Sequence, residues 1–154
     1  MMIRYSSAAT LFVLLLAAAP RAEAHCQVPC GIYHDKMRVD MIREDIETVE
    51  KAVAQIGALA GKRDAQSANQ LNRWISNKEL HAEKIIRTIS DYFMAQKIKP
   101  VDPRDKRGFA AYQQMLTRHH AVMVAAMKCK QSASKAEVAA LKKAVDGIAG
   151  YWKK

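Results

Sequence analysis

The chain has 154 residues, half of them hydrophobic, and carries 25 lysines and arginines against 15 aspartates and glutamates, a formal net charge of +10 at pH 7. This length suits one domain with one modest core and makes a second domain unexpected. A basic surface is compatible with nucleic acid, anionic lipid or a small anion as partner, and also with simple solvation. Composition therefore bounds the fold but selects no partner.

The first 24 residues have the pattern of a secretory signal. Arg4 precedes an unbroken small and apolar run over residues 8–19, and Ala22-Glu23-Ala24 has the small-x-small form that signal peptidase cleaves. The run is shorter than the roughly 20 residues that span a bilayer. We therefore expect cleavage after Ala24, export to the periplasm or out of the cell, no stable membrane association afterwards and no nucleic-acid partner.

Four later segments carry apolar residues at spacings of three and four, which is the period of an amphipathic helix. None shows the alternation typical of a strand. We therefore predict an all-α fold in which residues 35–154 form an up-down-up-down four-helix bundle, preceded by an irregular N-terminal segment. The helical patterns cover residues 39–60, 71–97, 109–127 and 134–152.

Local signals mark the breaks between these helices. Gly61 and a polar stretch over residues 62–67 follow the first helix, and residues 99–108 combine two prolines, a glycine and several charges. The sequence Ser134-Lys-Ala-Glu137 has the capping-box pattern of a helix start. The connections are short, as an antiparallel bundle requires.

Large side chains on the helices are predicted to form the core rather than a cofactor pocket. Cys129 is expected to be a small buried or half-buried side chain. Histidines within the helices are expected to have structural roles, and none is assigned to a metal. The predicted core residues are Trp74, Phe93, Met115, Met123 and Trp152, and the helical histidines are His81, His119 and His120.

Cleavage after Ala24 would create a compact set of metal ligands at the new N-terminus. It frees the α-amine of His25 beside that residue's imidazole and places the thiol of Cys26 one residue further along. The amine, the deprotonated amide of Cys26 and the Cys26 thiolate close two five-membered chelate rings, which favour a planar arrangement. Cys30 supplies a fourth donor if the chain turns back after Pro29.

A planar set of nitrogen and thiolate donors suits Ni(II) or Cu(II), whereas zinc prefers a tetrahedral site. Copper(II) tends to oxidise thiolates, so the pattern favours nickel, with the His25 imidazole as an axial ligand. Two alternatives stay open: an exported nickel- or copper-binding protein without catalytic activity, and a metal-free helical bundle in which Cys26 and Cys30 form a disulfide.

The stretch His25-Cys-Gln-Val-Pro-Cys-Gly-Ile-Tyr33 resembles the nickel-hook motif of nickel superoxide dismutases, and every fixed position of that motif is present. Ser90-Asp-Tyr-Phe93, at the end of the second helix, is similar to a further segment of the family. The resemblance implies an enzyme that converts superoxide to O2 and H2O2 with a Ni(II)/Ni(III) couple and one nickel ion per subunit. It also implies four-helix subunits that assemble into a homohexamer.

The same resemblance assigns roles to individual residues. Nickel would be held by the amine and imidazole of His25 and by the thiolates of Cys26 and Cys30. Tyr33 would line the approach of the substrate, and Tyr92 would stand beside it. The basic surface would then raise the rate at which the anionic substrate arrives.

The surroundings of the axial imidazole are less well matched to the family. Gln27 stands where some members carry an acidic residue, and no arginine or carboxylate is matched to the pair that orients the imidazole. Asp40 and Glu44 are candidates for that carboxylate, with solvated surface charges as the alternative. His34 is a candidate for proton delivery, with an exposed loop histidine as the alternative.

Overall fold

The structure is a computed structural model that describes residues 34–153. The expected signal segment, residues 1–24, and the expected hook, residues 25–33, lie outside these residues. No helix between His34 and Lys153 is both long and apolar enough to cross a bilayer. The helices are α1 (Asp35–Leu59), α2 (Ala65–Arg87), α3 (Lys106–Gln131) and α4 (Lys135–Ala149), and a π-helical segment (Thr88–Lys97) continues α2.

Each of the four helices packs against two others. The contacts run between α1 and α2, α2 and α3, α3 and α4, and α4 and α1, so they close a ring around one core. The connections between successive helices are short, which makes sequence neighbours antiparallel. The all-α four-helix bundle predicted from the sequence is confirmed, and residues 34–153 contain no strand.

Side chains that accept backbone N–H bonds fix the starts of three helices. Asp64 accepts from the N–H of Ser67 at 2.8 Å, so α2 begins at Ala65, before the end of the predicted polar stretch. Ser134 accepts from the N–H of Ala136 at 3.2 Å and is the predicted N-cap of α4. Such caps stabilise a helix because its first N–H groups have no partner within it.

The third cap depends on a glycine. Asp105 accepts from the N–H of Gly108 at 3.0 Å at the start of α3. A Cβ atom at position 108 would collide with the carboxylate of Asp105. Glycine at this position is therefore what lets the aspartate side chain reach the backbone.

The first helix, α1, and the last helix, α4, each turn one apolar stripe toward the core, with the three- and four-residue spacing predicted from the sequence. These side chains are 3 % exposed or less. Fully burying a side chain of this size contributes about 1.5–3 kcal/mol. The stripes are Val39, Ile42, Ile46, Val49 and Val53 on α1, and Val138, Leu141, Val145 and Ile148 on α4.

A histidine lies at the centre of the aromatic part of the core. His119 is fully buried, its Nδ1–H donates to the carbonyl of Met115 at 2.7 Å, and its Nε2 accepts from Nε1–H of Trp152 at 2.9 Å. One nitrogen donates and the other accepts, which describes a neutral imidazole with both positions satisfied. The bond attaches the segment after α4 to α3, and the ring of Phe93 packs 4.9 Å from that of Trp152.

A buried lysine caps the C-terminal end of α3. Lys78 is 4 % exposed, and its Nζ donates to the carbonyls of Cys129 at 2.7 Å and Lys130 at 2.5 Å and to Glu79 Oε1 at 2.7 Å. A cation is favourable at a helix C-terminus because the last carbonyls have no partner within the helix. Cys129 is 1 % exposed, which confirms the prediction of a small buried side chain.

The predicted aromatic and methionine core is confirmed in part. Phe93 and Trp152 are buried, and Met115 and Met123 pack against the edge of the core. Trp74 is only half-buried, so its assignment to the core was wrong. It lies one turn before Lys78 and lines an open groove on α2, where its side chain is partly exposed to solvent.

Acid should destabilise the bundle through His119. Burial lowers the pKa of this imidazole below its ordinary value of 6.5. Unfolding restores the ordinary value, so the unfolded chain binds more protons, and stability is lost as the pH falls below about 6.5. We expect urea midpoints to drop between pH 7 and pH 5, and to drop less in His119→Gln. The exposed neighbour supplies the control, because His120→Gln should keep the wild-type pH dependence; an equal dependence in His119→Gln would refute the assignment.

Removing the buried ammonium should destabilise the protein strongly. Lys78→Met leaves the buried carbonyl of Cys129, the partly buried carbonyl of Lys130 and Glu79 without their donor. We expect a loss of about 3 kcal/mol in the free energy of unfolding. Lys142 pairs with Glu50 at 2.8 Å on the surface, and Lys142→Met should cost less than about 1 kcal/mol. Denaturant titration of both variants measures the difference, and equal losses would contradict the capping role.

Candidate functional site

The expected nickel ligands His25, Cys26 and Cys30 and the approach residue Tyr33 lie outside the residues that the structure describes. Within residues 34–153, no three histidine, cysteine, aspartate or glutamate side chains are grouped so that they could hold a metal ion. The structure does place Tyr92. Its surroundings therefore define the part of the candidate site that can be described.

Tyr92 lies in the π-helical segment. There the N–H of Ile98 bonds to the carbonyl of Phe93 at 2.9 Å, five residues back. A π turn holds more residues than an α turn and changes the direction of the side chains that follow, and such segments are frequent at functional sites. Tyr92 and Phe93 are both buried, at 6 % and 0 % exposure, although they are adjacent in sequence. The end of this helical segment near Lys97 was predicted correctly from the sequence, whereas its π-helical turn was not predicted.

The hydroxyl of Tyr92 is bonded to the first residue of α1. It donates to Asp35 Oδ1 at 2.6 Å, and Lys97 Nζ lies 2.9 Å from the same oxygen. The guanidinium carbon of Arg38 lies 5.3 Å from the centre of the Tyr92 ring, and Lys97 Nζ lies 5.9 Å from it. These four residues, Asp35, Arg38, Tyr92 and Lys97, are called the Tyr92 cluster below.

The cluster is basic and partly shielded from water. It contains two cations, Arg38 and Lys97, and one carboxylate. The side chains of Asp35 and Lys97 are 18 % and 33 % exposed. A carboxylate in the first turn is favoured by the helix dipole. The cluster can therefore hold a phenol in one place while keeping the local potential positive.

The other residues raised as candidates lie on the surface of α1 or before it. Asp40 pairs with Lys36 at 2.6 Å and with Arg43 at 3.3 Å. The hydrogen bond from Lys36 is the main reason that the pKa of Asp40 is lowered. Glu44 and His34 are exposed. Asp40 and Glu44 thus occupy the solvated positions that the sequence offered as the alternative.

The helical histidines have the structural roles expected of them. His81 Nδ1 lies 2.6 Å from Asp45 Oδ1 and links α2 to α1, and both side chains are partly buried. His119 belongs to the core, and His120 is exposed. Sequence reasoning missed Asp35, Arg38 and Lys97. The one available signal was that Asp35 and Arg38 share a helix face directly after the hook motif.

Comparison with known families identifies the family of the chain. The family model described as nickel-containing superoxide dismutase matches residues 20–154. The chain has no significant match among curated proteins or among solved structures. The family match spans the whole described bundle and the preceding stretch that contains the hook motif. The chain belongs to the nickel-containing superoxide dismutase family and is an oxidoreductase.

Proposed function

We propose that this chain binds one nickel ion per subunit through His25, Cys26 and Cys30 and converts superoxide to O2 and H2O2 with a Ni(II)/Ni(III) couple. The observation that carries the proposal is the family match over residues 20–154, which includes these three ligands. The donor set supports it, because an amine, an amide and two thiolates suit a planar nickel site.

The remaining cysteine supports the same choice of thiolates. The sequence has three cysteines, and Cys129 is 1 % exposed. Burial, and to a smaller extent the charge of Glu137, raises the pKa of the Cys129 thiol to about 11. A metal ligand must be the thiolate, so Cys129 is unsuited to nickel at neutral pH. Burial of Cys129 therefore supports Cys26 and Cys30 as the cysteines that supply the two thiolates of the proposed site.

Covalent connection keeps the hook near the Tyr92 cluster. Cys30 precedes Asp35 by five residues, and an extended chain covers at most about 3.6 Å per residue, so their Cα atoms are within about 18 Å of each other. This short connection supports the proposal that the cluster flanks the route to the metal. Tyr92 would line the approach from the bundle side and Tyr33 from the hook side.

When bound, nickel would supply a one-electron couple. One superoxide would give up an electron and leave as O2, and a second superoxide would accept one electron and two protons and leave as H2O2. The chain's own residues bring the anion in and limit its path. Arg38 and Lys97 attract it, and the phenol of Tyr92 narrows the approach. His34 is exposed beside the hook and is available to exchange protons with water.

We further propose that the protein is exported after cleavage at Ala24 and assembles into a homohexamer. Exposed large apolar side chains on three helices support assembly, because such surface is favourably buried against other subunits. They are Met37 and Met41 on α1, Ile75 and Leu80 on α2, and Val124 and Met127 on α3, each 40 % exposed or more.

The first test is the mature protein itself. Purified from the exported fraction, it should have the mass of residues 25–154, contain about one nickel per chain and dismutate superoxide rapidly. Adding one alanine before His25 turns the amine ligand into an amide, and we expect nickel affinity to fall at least about 100-fold, since even losing a partner of a ligand costs 10- to 100-fold.

Adding one alanine after Lys154 is the matched control and should leave nickel binding intact. A nickel-free chain with a Cys26 to Cys30 disulfide would contradict the metal site. A nickel-loaded chain without turnover would instead identify a non-catalytic metal-binding protein.

Salt should slow the reaction. The cations near the approach attract an anionic substrate, and the Debye length shortens from about 30 Å at 0.01 M to about 8 Å at 0.15 M ionic strength. We expect the dismutation rate constant to fall several-fold over this range. Pulse radiolysis in an inert salt measures it, and a rate independent of salt would exclude steering.

A further inference from the structure

We propose that Asp35 is the positioning residue for Tyr92 in the dismutase reaction, and that Lys97 holds the Asp35 carboxylate in place. The inference rests on the proposed function, in which Tyr92 lines the approach to the metal. It assigns a role to two residues that the nickel-hook motif does not contain.

One carboxylate oxygen of Asp35 accepts a hydrogen bond and also takes part in an ion pair. Asp35 Oδ1 accepts from the Tyr92 hydroxyl at 2.6 Å and pairs with Lys97 Nζ at 2.9 Å. Tyr92 and Lys97 come from the same π-helical segment, whereas Asp35 begins α1, 57 positions before Tyr92. The carboxylate therefore links the π segment to the residue where the hook joins the bundle.

The ring of Tyr92 is held as firmly as its hydroxyl. Phe93 packs edge-on against it, with ring centres 5.1 Å apart and an angle of 85° between the planes. Arg38 lies over it at 5.3 Å. A short hydrogen bond to a carboxylate is among the stronger ones in proteins, and it removes the freedom that the phenol would otherwise have to turn. The side chain is therefore fixed before any substrate arrives.

Stability alone does not account for this arrangement. A partly buried ion pair pays a desolvation cost that often cancels its attraction, so apolar residues would hold the two helices together equally well. The cluster instead lies at the start of α1, five residues after Cys30. Preorganising a group that borders a reaction path is worth more to rate than to stability, because small displacements there are costly.

The experiment is a double-mutant cycle on the nickel-loaded chain that begins at His25. Asp35→Asn and Tyr92→Phe should each lower the dismutation rate constant about tenfold, the range seen when a group that orients a metal site is lost. The double variant should be no slower than Tyr92→Phe alone, because Asp35→Asn weakens, and Tyr92→Phe removes, the same charge-assisted bond. Nickel content should stay at the wild-type level in all three.

Glu50→Gln is the control, since it breaks another ion pair of α1, the one to Lys142 at 2.8 Å, and should keep the wild-type rate. Lys97→Met tests the support of the carboxylate without changing Asp35 or Tyr92, and should lower the rate about tenfold. The loss should persist at about 1 M salt, where a Debye length of about 3 Å screens the attraction of the anion by the Lys97 charge. It also serves as the deciding variant if Asp35→Asn does not fold.

A second readout reports the hydrogen bond itself. The ultraviolet resonance Raman signal of Tyr92, obtained as the difference between wild type and Tyr92→Phe, should shift in Asp35→Asn and stay unchanged in Glu50→Gln. Wild-type rates in Asp35→Asn and Lys97→Met, or rate losses that multiply in the double variant, would overturn the positioning role. A wild-type chain without nickel or dismutase activity would instead overturn the proposed function.

Discussion

The wide turn of the π-helical segment is the constraint on which the rest of the site depends. Adjacent residues of an ordinary α-helix point about 100° apart, so only one of them normally faces a core squarely. Here Phe93 enters the core beside Trp152, while its neighbour Tyr92 reaches the first residue of α1. One segment therefore connects the C-terminal end of the bundle to Asp35, the residue at which the chain enters the bundle after the hook.

The bundle has polar interactions of two kinds, one in its interior and one at its edge. Inside, His119 is a neutral group whose two ring nitrogens are matched by Met115 and Trp152. At the edge, the Tyr92 cluster keeps charged groups that are still partly exposed. The first arrangement rigidifies the helices, and the second leaves positive charge at the edge, where we propose that the anion approaches. The scaffold can thus be stable while the functional end stays open to water.

The parts of the fold that could be predicted are those encoded by local pattern. The 3-and-4 spacing of Val39, Ile42 and Ile46 identified the buried face of α1, and Ser134 identified a helix start. Trp74 was misassigned because apolar spacing along a helix gives the direction of a side chain but not where the neighbouring helices end. The length of a helix beyond its partners is a tertiary property.

The site was predictable only where a short motif carries it. The hook motif supplies the proposed ligands, a prediction that sequence permits because the donors lie within nine consecutive residues. Tyr92 was named through family resemblance, whereas its partners were not, since Asp35 meets it across 57 positions and through a turn without a sequence signal. Contacts of this kind depend on the register between two helices, which periodicity alone does not determine.

The burial of Cys129 bears on how the protein withstands its own chemistry. Superoxide dismutation releases hydrogen peroxide, which oxidises thiolates to sulfenic acid far more readily than thiols. With its pKa raised to about 11 and 1 % of its surface exposed, Cys129 presents almost no thiolate to this product. Peroxide damage to cysteine would thereby be confined to Cys26 and Cys30, and loss of either proposed ligand would inactivate one site while leaving the helical core intact.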